Sequence, residues 1–105
     1  MAWFYLFLAG ICEIGWPIGL KLGMTDEGLQ TKWIGFAVVS MALSGALLLI
    51  AQRFIPIGTA YAVWTGIGAV GTFIVGIYAF GDPGTFMRIL GVVLIAGGII
   101  TLKLA

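Results

Sequence analysis

The chain has 105 residues, 62% hydrophobic and only 9% charged, with a mean hydropathy of +1.20 and a formal net charge of +1. Water-facing domains carry about a quarter charged residues, and a chain this short could not hide so much apolar surface in one core, so lipid is the solvent that fits. The charge excludes a basic nucleic-acid face, and the lack of histidine with a single cysteine, Cys12, excludes an intrachain disulfide and a Cys/His zinc site.

Crossing about 30 Å of hydrocarbon takes about 20 helical residues, and four segments meet that length. The expectation is an all-α membrane protein in which residues 1–105 form a single transmembrane domain. The start, Met1-Ala2-Trp3-Phe4, has no basic region, and no small-residue cleavage site follows the first apolar run, so no removable signal peptide is expected.

The first span covers about residues 3–22 and contains Glu13. A mid-span carboxyl costs about 3 kcal/mol on insertion scales, so such groups face cavities and mark ion or proton paths. A proton and an arriving cation would then compete for this one carboxylate. The plainer role is a neutral carboxyl bonded between helices. Trp16, three residues on, shares Glu13's face; its indole can donate to the carboxylate and its ring can meet a cation, or it is an interfacial anchor. Pro17 removes the helical partner of the Glu13 carbonyl and predicts a kink there. Gly15 and Gly19 read as a helix contact face.

Gly23 to Gly28 carries a charge cluster with Asp26 and Glu27, and reads as a loop. The second span, about 33–53, is uncharged before Arg53. Its Ser40 and Ser44 share a face, from which either hydroxyl could reach the carboxylate or bond its own backbone. Pro56 suits the start of the third span, about 57–80. There Tyr61 and Trp64 form a pair continued by Gly68 and Gly71: aromatics that can cage a cation, then bare backbone that admits another helix. Gly66, Gly68 and Gly71 spell a dinucleotide-binding fingerprint, which is discarded because no strand precedes it. After the turn Gly81-Asp82-Pro83-Gly84, the fourth span covers about 85–104. Gly66 and Gly68, and Gly91 with Gly98, are expected at helix contacts, the last two in a dimer seam.

Arg53 and Lys103 fall on one side of such a topology, and Lys21, Lys32 and Arg88 on the other. That weak bias lets the chain insert either way round. Two copies in opposite orientations would form an inverted repeat, a plan used by alternating-access transporters.

Over its whole length the chain resembles the small multidrug resistance transporters. The resemblance is carried by Ala9-Gly10 through Glu13, Trp16, Gly19-Leu20-Lys21, and the run from Pro56 through Tyr61 and Trp64 to Ala69. It implies an antiparallel, dual-topology homodimer exchanging protons for a cation at Glu13, with Trp16, Ser44, Tyr61, Trp64 and Gly10 at the site. Trp16 and the wording Trp64-Thr65-Gly66-Ile67-Gly68 look like the guanidinium-exporting subtype rather than the exporters of quaternary ammonium and aromatic cations; Pro17 departs from the family's small residue.

The expected function is therefore proton-coupled guanidinium export, multi-pass in a bacterial cytoplasmic membrane, with no cofactor or metal. An exporter of quaternary ammonium ions or of mixed specificity is the alternative within transport, and a non-transporting scaffold or half of a heterodimer lies outside it. An enzyme is disfavoured because no second titratable group shares Glu13's depth.

Overall fold

The computed structural model describes residues 1–25 and 27–105. Asp26, part of the charge cluster read in the first loop, lies outside the described residues. Among those described, the elements are α1 (Ala2–Gly23), β1 (Met24–Thr25), β2 (Gly28–Leu29), α2 (Thr31–Ala51), α3 (Ile57–Phe80) and α4 (Phe86–Leu104). All four helices are long and apolar enough to cross a membrane. The longest dimension, 47 Å, matches the about 40–45 Å of a bilayer with its headgroups.

Local chemistry sets the helix ends. Pro56 precedes α3 with an extended ψ of 138°, and its carbonyl accepts the Ala60 amide at 2.9 Å. Gly81 closes α3 at φ 69°, the left-handed conformation that glycine adopts without steric cost. The Thr85 hydroxyl caps α4 by accepting the Arg88 amide at 3.4 Å. α1 continues as helix through Pro17. The first connection is more ordered than a plain loop: Met24 pairs with Leu29 and Thr25 with Gly28 in a two-residue antiparallel hairpin. Gly28 supplies φ 113°, and the Thr25 hydroxyl donates to its carbonyl at 2.7 Å.

α1 packs against both α2 and α3, whereas α4 lies against α3. Lipid tails are as apolar as leucine, so helices associate by close packing through small residues. The face Gly15, Gly19 and Gly23 of α1 bears this out. A Cβ built at each would lie 2.8 Å from Ser40 Oγ, 3.0 Å from Ala37 Cβ and 2.7 Å from Ile34 Cδ1 of α2 respectively. Gly66 is buried against Ile99 and Ile95 of α4. The larger side chains gather near the α2–α3 connection, where Leu6, Ile55 and Val63 are buried together.

Gly91 and Gly98, expected in a dimer seam, meet nothing within 4 Å among the described residues, and α4 has no buried residue, so within one chain neither glycine packs against another helix. The physical reason is the slab-like arrangement, 17 Å in its thinnest extent, in which α4 touches the rest along one line and turns its glycines away.

The charged ends follow the alternation of the spans. Lys21 Nζ sits 5.4 Å from the centre of the Phe80 ring at one end, and Lys103 Nζ sits 5.0 Å from that of Trp3 at the other.

Candidate functional site

Glu13 stands near the middle of α1, half-buried. Helical periodicity puts Trp16 on the same face, and the Trp16 indole N–H donates to Glu13 Oε1 at 2.7 Å. The pair is local to one helix, so any sequence keeping these two residues helical can form it.

α3 approaches with bare backbone at this depth. A Cβ built at Gly68 would fall 2.6 Å from Glu13 Cγ, and one at Gly71 would overlap Ile14. The missing side chains leave the carboxylate beside a cavity of about 280 Å³, lined by Glu13 and Pro17 of α1 and by Thr65, Gly68, Ala69 and Thr72 of α3. The Thr65 hydroxyl donates to the Tyr61 carbonyl at 2.8 Å, leaving its oxygen lone pairs to accept. One carboxylate and two hydroxyls line this space with no cationic side chain, a set of acceptors suited to a small cation that donates hydrogen bonds.

Ser44 does not bond the carboxylate within one chain, one of the two courses open to its hydroxyl. Fully buried, it donates to the Ala9 carbonyl at 2.7 Å and accepts from the Trp64 indole at 2.8 Å. Ser40 packs instead against Gly15. Ala9 lies one turn before Glu13, so the chain Trp64–Ser44–Ala9 fastens α3 and α2 to the turn of α1 that carries the acid. The reason is competition: a buried hydroxyl takes the nearest acceptor, and helix packing offers the second lone pair of a helical carbonyl first. Replacing Ser44 by Ala should strand the Trp64 donor and lower stability by about 1 kcal/mol. Thermal unfolding in detergent checks this, and an unchanged midpoint would show the network to be dispensable.

The other expected residues divide. Trp64 and Tyr61 stack obliquely, 5.4 Å between ring centres at 56°, but they line no part of the Glu13 cavity, and Tyr61 is 58% exposed. Gly10 is buried against Ile67, where a Cβ would come within 2.6 Å, so it serves the α1–α3 contact. The carboxylate cavity thus gathers Glu13 and Gly68, with Trp16 bonded to the acid, and leaves Gly10, Ser44, Tyr61 and Trp64 outside within one chain. Thr72 was missed. Its spacing from Thr65 and Gly68 places all three on one helical face, which was the signal available.

The family model described as "Small Multidrug Resistance protein" matches residues 1–95. Among curated proteins, one from Yersinia pseudotuberculosis is 50% identical over 105 residues, covering 100% of this chain and 99% of that one. One from Proteus vulgaris is 46% identical with the same coverage. One from Escherichia coli (strain K12) is also 46% identical, over 100% of this chain and 98% of its own length. Each of the three is named as a guanidinium exporter.

Proposed function

This chain belongs to the small multidrug resistance family, and from that premise we propose that it exports guanidinium ion by proton-coupled antiport, with Glu13 as the shared site. The observation that carries the reading is the 2.7 Å bond from Trp16 to Glu13 Oε1 beside a cavity lined otherwise by threonines and glycine. Guanidinium is planar, with N–H groups in a fixed fork that matches a carboxylate held in one orientation. Trp16 occupies one acceptor position of Oε1 and leaves Oε2 free. The Thr65 and Thr72 hydroxyls can accept the N–H groups that point away from the carboxylate.

Coupling follows from scarcity of charge. An acid at membrane depth needs a counter-charge or a proton, since the ionised form alone is costly. H⁺ and guanidinium therefore compete for Glu13, and alternating access to the two sides turns competition into exchange. Protons entering down their gradient displace the cation outward. The nearly balanced basic residues at the two ends support insertion in both orientations, and the working unit is an antiparallel homodimer in the bacterial cytoplasmic membrane. The uncovered face of α4, with Gly91 and Gly98, supplies a seam for a second copy. Tyr61 and Trp64, outside the cavity of their own chain, join the site through that copy. The site binds and releases its cation unchanged, so the protein is a transporter rather than an enzyme.

The test is proton flux from the purified chain in proteoliposomes under a guanidinium gradient, with tetraalkylammonium ions for comparison. Guanidinium-driven flux well above the ammonium response is expected. The reverse order would make the chain a quaternary ammonium exporter, and no coupled flux with either cation would leave a scaffold or a heterodimer subunit. In the same assay Trp16→Gly should narrow the preference for guanidinium at least tenfold, the scale of about 1.4 kcal/mol of lost ordering. Unchanged selectivity would reduce Trp16 to packing.

A further inference from the structure

At the end of the protein opposite the hairpin, an apolar cavity of about 330 Å³ opens between three helices. Trp3 and Phe7 of α1, Val63 and Ile67 of α3, and Ile99 of α4 form its walls, and Lys103 stands at its rim. A second cavity of about 280 Å³ shares Trp3 and Lys103 with the first and continues past Thr59 and Pro56 toward the α2–α3 connection. The two spaces together run from an apolar groove into a mouth supplied with an ammonium, an indole N–H and a hydroxyl. Arg53 is at the same end, beside Phe54, which lines the mouth.

The charged side chains at this end are of one sign. Arg53 and Lys103 meet no acid here: among the described residues, Glu13 lies mid-span, and Glu27 and Asp82 lie on the connections at the far end. The distance of Lys103 Nζ from the Trp3 ring centre, 5.0 Å, shows the ammonium leaning over the aromatic wall.

We propose that this groove is a binding site for an anionic phospholipid, its acyl chain lying between α1, α3 and α4 and its phosphate against Lys103. Burying an acyl chain against leucine-like walls gains little over leaving it in the bilayer, because both surroundings are equally apolar. The walls therefore give shape, and selection must come from the headgroup. Basic pockets between transmembrane helices recognise lipid phosphates in this way, each basic side chain adding about a fivefold preference for an anionic surface. The site is separate from the Glu13 cavity, with which it shares no lining residue.

The experiment uses the full chain in phosphatidylcholine vesicles doped with phosphatidylglycerol bearing a photoactivatable acyl chain, against the same probe on phosphatidylcholine. Cross-links mapped by mass spectrometry should concentrate on Phe7, Ile67 and Ile99, with phosphatidylglycerol preferred. Lys103→Gln should reduce that preference roughly fivefold, Lys103→Arg should restore it, and Arg88→Gln at the opposite end should leave it unchanged. Equal labelling by the two headgroups would overturn the proposal, as would labels scattered over all helix faces. So would the absence of label at these three residues, the result a second copy of the chain seated over the groove would give. None of these readouts depends on guanidinium transport, so failure here is distinguishable from failure of the exporter reading.

Discussion

Glu13→Gln should abolish proton-driven guanidinium exchange while leaving the protein folded and assembled. Glutamine keeps the shape of the side chain and an amide oxygen that can accept the Trp16 indole, so the 2.7 Å contact survives the change. What disappears is the charge and the proton site. At about 4 Å and an effective dielectric near 20, an ion pair is worth about 4 kcal/mol, so affinity for guanidinium should fall by about a thousandfold. Exchange should fall to background, because nothing remains for which proton and cation compete. Flux in proteoliposomes reads the first part, and cross-linking in the membrane reads assembly. Proton-driven guanidinium uptake at the unmodified rate would rule out Glu13 as the coupling site.

Gly68→Val is expected to have the next largest effect, by sterics rather than charge. The position has no room: a first side-chain carbon alone would stand 2.6 Å from Glu13 Cγ, and valine adds two methyl groups on a stiff Cβ. Either the acid is pushed off the Trp16 indole or α3 is levered from α1. Overpacking of this kind costs about 1–3 kcal/mol in stability, and transport should drop at least tenfold because the displaced carboxylate loses its orientation. Gly35→Val is the matched control, since a Cβ at Gly35 meets nothing within 4 Å of it. Guanidinium flux normalised to protein level separates the two. Equal flux from both variants would mean that the close approach of α3 to Glu13 is incidental to transport.

The contact between Trp16 and Glu13 was legible because it is local. A carboxyl alone in an apolar run is visible in any reading, and a tryptophan three residues on must share its face once the segment is helical. The same holds for the capping signals: Pro56 and Gly81 mark the ends of α3 at the places their backbone preferences demand. The pairing of β1 with β2 was not visible, since two pairs of residues are too few to show any strand period.

The partners of the second and third spans were less legible. Ser44 and Ser40 share a face, and periodicity cannot say whether that face meets a carboxylate, a carbonyl or a glycine. Packing gave Ser44 the Ala9 carbonyl and the Trp64 indole, and gave Ser40 a place against Gly15. Trp64, drawn toward α2 by that bond, does not line the cavity that Thr65 and Thr72 border with Glu13.

By itself, then, the order of residues settled the solvent, the four helices and the acid with its tryptophan. Each of these follows from hydrophobicity or from contacts within a single helical turn. The tertiary structure alone decided which glycines admit a neighbour, which hydroxyls border the carboxylate and which aromatics stay outside. Those outcomes depend on how each helix is rotated about its own axis against the next, and that rotation is fixed by the fit of side chains far apart in the chain.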